Sequence, residues 1–300
     1  MTLIEMMNAY IQNNDGIKQS DTIRGEHGHI RAITKCLEHL NIVTIEDLKY
    51  ESYNQIVKYY KTHTNNKNSS INKYVSYLKA VLRYYGFHDH QFLLVKKLKD
   101  DTSHVKPIYD DDLIDIFRYV KALNKNDNSI TYRAVIELLY STGCRIGELL
   151  DIKIRNVDIK HKMILLEQTK TRKERFVFFS KTQIDMIKAL IDKQPKREYL
   201  FWNFLKKRRL NKNDVKLFNR KMKEKLGLRV FYSRQMRKTM ATDLAKFTKG
   251  DLKMIQTILG HSDIKMTQVY VEYSTDQAKD AYMSVEEKLF YKITNDSEGL

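Results

Sequence analysis

A long run of apolar residues at helical spacing constrains the fold of this chain more than any other feature. Ile71, Val75, Leu78 and Leu82 repeat every three or four positions, and Gly86 follows the end of the pattern. This spacing predicts an amphipathic helix of about four turns, and a glycine at that place is typical of a helix end. Because so long an apolar stripe must be buried against other apolar surfaces, the helix requires a helical domain around it.

Weaker patterns before this helix complete the domain. Apolar residues at helical spacing within residues 3–10 and 30–40 predict two helices. Thr44 is a candidate N-cap of a third helix, because Glu46 and Asp47 would follow in its first turn, where acidic side chains favour the helix dipole. We therefore predict an all-helical N-terminal domain.

The long helix has a basic polar face, which carries Lys73, Lys79 and Arg83. A basic helix face can lie along DNA, although a merely solvated face would show the same pattern. The formal net charge of the whole chain is +17, of which residues 1–100 contribute +4 and the remainder +13. Such an excess is typical of a protein that binds nucleic acid.

Composition excludes several other classes of protein. The chain is 42% hydrophobic, enough for real cores, but it has no apolar run that would span a membrane. The N-terminus lacks the basic and apolar pattern of a secretory signal. The two cysteines, Cys36 and Cys144, cannot build a disulfide framework or a zinc ribbon. We expect a cytoplasmic protein without a metal site.

The length of 300 residues suggests about two domains, and one stretch fits the boundary between them. Residues 97–109 are charged, contain Pro107 and lack periodicity. We predict a DNA-binding helical domain at 1–96, this stretch as the linker, and a second domain at 110–300.

The second domain is predicted to be mixed α+β, so that the whole chain is mainly α with a small β-hairpin. Strand-forming residues at 163–167 and 176–179 enclose a hairpin with a basic tip. The basic run Lys206–Arg209 is interpreted as a contact to a nucleic-acid backbone. The hairpin tip carries Lys170, Arg172, Lys173 and Arg175, of which the last three are predicted to contact DNA. Helices are predicted near 110–123, 131–141, 182–193, 211–226, 232–244 and 275–292.

Two segments of the second domain place arginines next to turns. In STGCRIGELL, Gly143 permits a tight turn, and Arg145 and Glu148 are spaced for a local salt bridge on the following helix. In YSRQMRKTM, Arg234 and Arg237 lie three residues apart near the start of a helix, so they can point into one cleft.

A third segment, LGHSDIKMTQVY, begins where a helix ends. Gly260 is the usual residue after a helix end, and Ser262 or Asp263 can cap another helix. His261 lies on the turn and Tyr270 follows it by nine positions, so the two side chains can face the same space. A histidine beside a glycine and a tyrosine on an amphipathic helix are more often structural. A catalytic role for this pair is favoured because the other segments supply the cations that it would need.

The order of these motifs along the chain resembles that of the tyrosine recombinases, which include phage integrases and Xer-type and transposon recombinases. The motifs are TGCRIGEL, TKTRKERFV, RQMRKTMAT, and LGHS with the tyrosine that follows. The resemblance covers nearly the whole chain. It implies that the first domain is a core-binding domain and that the second is the catalytic domain, whose C-terminal helix at 275–292 contacts a neighbouring protomer.

The resemblance implies a role for each matched residue. One position departs from the family, which usually has HxxR where this chain begins with Arg234. Because an arginine cannot accept a proton at neutral pH, we expect Arg234 to contact phosphate rather than to act as a general base. The matches are Arg145 for the first catalytic arginine, Glu148 for the acid that supports it, Arg237 for the second catalytic arginine, Lys170 for the hairpin lysine, His261 for the histidine of the LGH motif, and Tyr270 for the nucleophile.

The resemblance also implies a reaction and its partners. Tyr270 would attack a DNA phosphodiester and form a 3′-phosphotyrosyl link, without metal or ATP. The expected substrate is double-stranded DNA with inverted-repeat core sites, bound by a tetramer or dimer of dimers; an accessory DNA-bending factor is a further candidate partner. Two alternatives stay open. They are a type IB topoisomerase-like or resolvase activity, and a catalytically silent DNA-binding protein derived from a recombinase.

Overall fold

The computed structural model of the chain describes residues 1–17, 20–99, 106–123, 127–167, 174–193, 196–248 and 250–260. Within these ranges the protein is mainly helical, as the sequence predicts, and it has two small antiparallel sheets. The chain divides into two units, Met1–His104 and Val105–Leu300. None of the helices in the described ranges combines the length and the apolar composition that crossing a membrane requires.

The first unit packs its helices around one apolar core. The first helix begins at a capping box, in which the Thr2 hydroxyl accepts from the Glu5 N–H at 3.2 Å and the Glu5 carboxylate accepts from the Thr2 N–H at 2.7 Å. The helices of this unit are α1 (Leu3–Asn13), α2 (Ser20–His39), α3 (Ser52–His63) and α4 (Asn68–Tyr84).

Helix α4 confirms the strongest pattern of the sequence. Ile71, Val75, Leu78 and Leu82 are all buried, and Gly86 follows the helix with a φ of +85°. Full burial of an aliphatic side chain stabilises a fold by about 1.5–3 kcal/mol. This stripe is therefore a main source of the stability of the first unit.

The third helix begins later than the sequence predicts. Thr44 does not cap it, because the Asp47 carboxylate accepts from the Val43 N–H at 3.1 Å and from the Thr44 N–H at 2.9 Å. These bonds close a turn, and α3 starts only at Ser52. The acidic residues that suggested a first helical turn thus stabilise a turn that precedes the helix.

The predicted linker at 97–109 includes residues that belong to the units on either side. Leu98 donates its N–H to the Asn72 side chain and accepts from it, both at 2.9 Å. Ile108 is buried in the core of the second unit and donates its N–H to the Thr239 hydroxyl at 2.9 Å. Among the described residues, both ends of this stretch are therefore packed.

Helix α6 lies at the centre of the second unit. Ala134, Val135, Leu138 and Leu139 are fully buried on it, which its apolar composition requires, since a helix that is apolar on most sides must be covered on most sides. The helices of this unit are α5 (Asp110–Ala122), α6 (Asp127–Thr142), α7 (Ile146–Leu150), α8 (Ile184–Asp192), α9 (Lys212–Lys225), α10 (Ser233–Phe247) and α11 (Leu252–Leu259).

The predicted strands form a three-stranded antiparallel sheet in the order β1-β2-β3. Leu166 pairs with Arg175 and Ile164 with Val177. The sequence did not suggest the second sheet, whose two short strands pair antiparallel and whose second strand is the end of the basic run. The strands are β1 (Val157–Asp158), β2 (Met163–Leu166), β3 (Arg175–Phe178), β4 (Trp202–Asn203) and β5 (Arg208–Arg209).

Helices α10 and α11 share a small apolar core of their own, which contains Ala241, Ala245, Ile255 and Leu259. Helix α11 begins at Asp251, whose side chain accepts from the Met254 N–H at 2.9 Å. This core holds the C-terminal end of α11 against α10, and α10 carries the arginine motif.

Candidate active site

Arg145 lies at the junction between α6 and α7. Helix α6 ends at Thr142, Gly143 has a φ of +60°, and Arg145 is the N-cap residue of α7. Its backbone N–H donates to Glu148 Oε2 at 2.9 Å and its Nη1 donates to Glu148 Oε1 at 2.8 Å. The predicted salt bridge is therefore confirmed. Because one carboxylate holds both the backbone and the tip of Arg145, the guanidinium is positioned before any ligand binds.

Glu148 is buried and binds a second arginine. Only 5% of its side chain is exposed, and Arg175, the first residue of β3, donates from Nη2 to Glu148 Oε2 at 2.7 Å. Burial raises the pKa of Glu148, but the hydrogen bonds and charges of Arg175 and Arg145 outweigh burial and hold this pKa below its usual value. The carboxylate is thus ionised at neutral pH and shared between two guanidinium groups.

Arg237 joins two chain segments that are distant in sequence. It lies on α10 and is 6% exposed. Its Nη1 donates to the Gly143 carbonyl oxygen at 2.6 Å and its Nη2 to the Leu259 carbonyl oxygen at 2.9 Å. Charge-assisted hydrogen bonds of this kind are stronger than neutral ones. Arg237 therefore connects the turn before Arg145 to the last residue of α11.

Two glycines allow these segments to approach each other. A β-carbon at Gly143 would lie 2.9 Å from Leu259 Cδ2 and 3.0 Å from Met240 Sδ. Gly260 ends α11 with a φ of +63°, and a β-carbon there would lie 2.6 Å from Arg175 Cδ. Since both positions also lie in the left-handed region that disfavours L side chains, the close approach depends on glycine at each.

The site has a surplus of positive charge. Arg145, Arg175 and Arg237 bring three positive charges against the one negative charge of Glu148. Arg145 reaches solvent most, with 28% of its side chain exposed, against 11% for Arg175. Guanidinium groups present paired donors that suit phosphate oxygens. The arrangement can therefore bind an anion such as a phosphodiester.

The thiol of Cys144, between the turn and Arg145, is not a nucleophile at neutral pH. It is buried, and burial raises its pKa to about 11. A thiol reacts as its thiolate, so almost none of the reactive form is present at pH 7. Cys144 serves as a small packing residue.

The two arginines of the α10 motif differ in their surroundings. Arg237 is buried, whereas Arg234, in the first turn of the helix, is exposed. Within the described residues, no ion pair of Arg234 is found. Arg237 is directed into the protein, whereas the shared cleft and the role of Arg234 stay predictions.

One of the predicted DNA contacts on α4 is used inside the protein. The Lys79 ammonium donates to the carbonyl oxygens of Leu93 and Val95 at 2.8 and 2.6 Å. The chain folds back along α4 after Gly86 and leaves these two carbonyl groups facing Lys79. Lys73 and Arg83, by contrast, are exposed. In the described structure the Lys79 ammonium holds the returning chain, and its contact with DNA stays a prediction.

The prediction that Arg175 belongs to the hairpin tip is wrong, because Arg175 is the first residue of β3; its contact with DNA stays a prediction. Side chains alternate between the two faces of a strand, and Arg175 shares the inner face of β3 with the buried Val177, whereas Phe176 and Phe178 are exposed. The sequence contained this signal. The alternation Arg175–Val177 predicts an inward arginine, which then requires an acid such as Glu148.

Three side chains of the run Lys206–Arg209 have partners within the protein. Lys206 and Arg208 both form ion pairs with Asp214, at 2.8 and 2.9 Å. The Arg209 guanidinium lies 3.9 Å from the ring centroid of Tyr199. Lys206 and Lys207 are exposed, and the contact of the run with a nucleic-acid backbone stays a prediction.

Several predicted site residues lie outside the described residues. Strands β2 and β3 flank the hairpin tip in sequence, and Gly260 directly precedes the histidine of the LGH motif. The residues outside the described ranges are Lys170, Arg172, Lys173, His261 and Tyr270, together with the helix predicted at 275–292.

Comparison with known proteins gives relatives over most of the chain. The sequence model of the phage integrase family matches residues 106–277. The probable integrase/recombinase of Acholeplasma phage L2 is 36% identical over 264 residues, which cover 88% of this chain and 91% of that protein. Tyrosine recombinase XerC of Bacillus pumilus is 28% identical over 282 residues, which cover 88% of this chain and 90% of that protein.

Solved structures share the fold. The Tn1549 transposon integrase in complex with a circular intermediate DNA has a TM-score of 0.79 at 18% identity, covering 95% of this chain and 99% of that chain. A lambda integrase dimer bound to a COC′ core site has a TM-score of 0.71 at 17% identity, covering 91% of this chain and 77% of that chain.

Proposed function

The chain belongs to the phage integrase family, and from this we propose that it is a site-specific recombinase that cleaves and rejoins DNA through a covalent link to Tyr270. The observation that carries the proposal is the convergence of Arg145 and Arg237. Arg237 donates to the carbonyl of Gly143, two residues before Arg145, from a helix more than ninety positions away. Arg237 thus holds the turn that leads into Arg145, which supports a shared phosphate site for these two arginines of the family motifs.

The proposed reaction is a transesterification in two reversible steps. The Tyr270 hydroxyl oxygen forms a bond to phosphorus, the bond from phosphorus to the 5′-oxygen breaks, and a 3′-phosphotyrosyl ester and a 5′-hydroxyl result. A 5′-hydroxyl of another strand then displaces Tyr270. Because one phosphate ester is exchanged for another, neither ATP nor a metal is required by the energetics.

Fixed cations can lower both barriers of this reaction. A tyrosine with a pKa near 10 is ionised in roughly one molecule in a thousand at pH 7, a deficit of about 4 kcal/mol. In the proposal, Arg145 and Arg237 bind the non-bridging oxygens of the phosphate and stabilise the developing charge, and Glu148 holds Arg145. His261 and Arg234 also contact the phosphate. Lys170 donates a proton to the leaving 5′-oxygen.

A trapped adduct tests the proposed nucleophile. A DNA core site with a nick near the scissile phosphate loses its short 5′-hydroxyl fragment on cleavage, so the covalent complex accumulates. We expect the adduct to map to Tyr270 by peptide mass spectrometry, and Tyr270→Phe to bind DNA normally without forming it. An adduct at Tyr273 would contradict the assignment. Sequence-specific binding without any adduct would instead support a silent DNA-binding protein, and relaxation of supercoiled DNA without strand exchange a topoisomerase-like activity.

A modified leaving group tests Lys170 as the general acid. A sulfur at the 5′-bridging position leaves as a thiolate that needs no proton. Lys170→Ala should therefore cleave ordinary DNA about a hundred- to ten-thousandfold more slowly, and the sulfur-containing strand nearly as fast as the unmodified protein. Lys173→Ala is the matched control. Rescue of Lys173→Ala instead of Lys170→Ala would move the acid by three residues.

We also propose that the protein acts as a homo-oligomer on DNA with inverted-repeat core sites. The lambda integrase neighbour is a dimer on a core site, and the sequence predicts an amphipathic helix at 275–292. Deletion of the residues after 275 should spare binding to a single site and impair pairing of two sites. Normal recombination by the truncated protein would contradict a role of this segment between protomers.

A further inference from the structure

Arg175 is a side chain for which the family resemblance supplied no catalytic role, and it is nearly as buried as Arg237. It begins β3, the strand that follows the hairpin tip, and 11% of its side chain is exposed. Its Nη2 donates to Glu148, and its Cδ, Nε and Cζ lie against Gly260. These two contacts lie in different parts of the site.

The contact with Glu148 reaches Arg145. Glu148 Oε2 accepts from the Arg145 N–H at 2.9 Å and from Arg175 Nη2 at 2.7 Å. Glu148 Oε1 accepts from Arg145 Nη1 at 2.8 Å and from Arg175 Nη1 at 3.4 Å. Each carboxylate oxygen is thus shared between the two arginines. A shift of Arg175 must move the carboxylate, and with it the guanidinium of Arg145.

The contact with Gly260 reaches the end of α11. A β-carbon on Gly260 would lie 2.6 Å from Arg175 Cδ, 2.7 Å from Nε and 2.9 Å from Cζ. The flat guanidinium therefore lies directly against the backbone of this turn. Its Nε–H is buried and has no hydrogen-bond partner within the described residues, so van der Waals contact with the turn defines this end of the side chain.

We propose that Arg175 is a positioning residue, which orients Arg145 through Glu148 and at the same time seats the turn at Gly260. A single side chain then couples the strand that leaves the hairpin to the segment that continues into His261. This inference rests on the proposed function, because cleavage of DNA supplies its readout.

A lysine at position 175 tests the geometry rather than the charge. An ammonium is a point donor and cannot bridge both oxygens of Glu148 or lie flat on Gly260. We expect Arg175→Lys to lower the single-turnover cleavage rate at saturating DNA by about ten- to a hundredfold, as small misplacements of reacting groups do. Its dissociation constant for DNA should stay within about twofold. The matched control is Arg155→Lys, which alters an Arg–Glu ion pair of 3.1 Å whose arginine is 69% exposed.

A neutral substrate separates positioning from a general loss of structure. A methylphosphonate at the scissile position lacks one anionic oxygen, so the contribution of Arg145 to cleavage is reduced. If Arg175 acts through Arg145, the rate deficits of Arg175→Lys and of Arg145→Lys should both shrink on this substrate. A merely structural defect would slow both substrates by the same factor.

Gly260→Ala disturbs the same contact without mutating Arg175, because the added β-carbon would lie 2.6 Å from Arg175 Cδ. We expect it to reproduce the rate deficit, and the double variant Arg175→Lys/Gly260→Ala to lose less than the product of the two single effects, because both disturb one contact. Three results would each overturn the inference. They are a double variant whose rate loss equals the product of the single losses, rate deficits that are equal on the phosphodiester and the methylphosphonate, and a cleavage rate of Arg175→Lys that equals that of Arg155→Lys. Absence of any adduct with the unmodified protein would overturn the proposed function itself, whereas normal cleavage by the variants overturns only the role of Arg175.

Discussion

The basic side chains of the two units are held in different ways. On α4 of the first unit, Lys73 and Arg83 extend into solvent. In the second unit, Arg145, Arg175 and Arg237 are fixed by hydrogen bonds to a carboxylate or to carbonyl oxygens. Exposed cations neutralise phosphates without a fixed geometry and give affinity that falls with salt. Buried, hydrogen-bonded cations keep their positions while charge develops in a transition state. We therefore expect the first group to contribute to binding and the second to rate.

The burial of the second group requires compensation. Removing a charge from water costs several kcal/mol unless it is paired and hydrogen-bonded. Glu148 compensates Arg145 and Arg175, and the Gly143 and Leu259 carbonyls accept from Arg237. The fold has to build these partners, which explains why the site draws on β3 and on the ends of α6, α10 and α11.

The largest effect is expected for Arg237→Lys. A lysine keeps the charge but cannot donate to the Gly143 and Leu259 carbonyls while presenting paired donors to a phosphate. Single-turnover cleavage at saturating DNA should slow by about a hundred- to a thousandfold, the usual effect of removing a donor to a developing oxyanion. Arg220→Lys on α9, where the arginine is 67% exposed, serves as control. Equal rates for the two variants would remove the distinction between buried and exposed cations.

Arg234 tests the comparison between exposed and buried cations, because it is exposed like the binding residues and yet belongs to the α10 motif. As a phosphate contact it should add a charge-assisted hydrogen bond of about 1.5–3 kcal/mol. Arg234→Ala should therefore cleave about ten- to a hundredfold more slowly, and Arg234→His should retain part of the activity. Cleavage by the alanine variant at the unmodified rate would place Arg234 with the binding residues.

Lys79 and Lys73 form a matched pair on one helix. Lys79→Met removes two hydrogen bonds to carbonyl groups, so the free energy of unfolding, measured by urea denaturation, should fall by about 1–3 kcal/mol. Lys73→Met should leave stability unchanged and lower the slope of log affinity against log salt by about one. A reversed pattern would show that Lys79 and not Lys73 contacts DNA.

The smallest effect concerns the pH dependence of stability. The pKa of Glu148 is held below its ordinary value of 4.5, so its stabilising contribution is fully present above that value and is lost as the pH falls through the lowered, folded-state pKa. Glu148→Gln should reduce the acid sensitivity of thermal unfolding below about pH 4.5. The variant should also have a lower melting temperature at pH 7. Unchanged acid sensitivity would mean that Glu148 is not ionised in the folded protein.

Periodicity and turn residues made a large part of this structure predictable. Helix α4, the pairing of β2 with β3 and the glycine end of α11 all follow from spacing that local physics determines. The Arg145–Glu148 ion pair follows in the same way, because residues three apart meet at the start of a helix.

The remaining features depend on contacts between distant segments. Asp47 stabilises a turn instead of a helix start because its carboxylate binds the N–H groups of Val43 and Thr44. The position of Lys79 depends on how the chain returns along α4. The charge of Arg175 favours the hairpin tip, whereas its alternation with Val177 favours the inner face of β3. Basic residues are the type for which local sequence is least informative, since a distant partner decides whether each is exposed or buried.

The measurement that tests the account most directly is a joint titration of affinity and cleavage rate against salt. It compares the unmodified protein with Arg237→Lys and with the double variant Lys73→Ala/Arg83→Ala. If about ten phosphates are neutralised, the unmodified protein should show a log–log slope near −9. We predict that the double variant has a slope shallower by about two and an unchanged rate at saturating DNA, whereas Arg237→Lys keeps the slope and loses at least about a hundredfold in rate. A slower rate for the double variant together with a normal rate for Arg237→Lys would contradict the division between binding and catalytic cations.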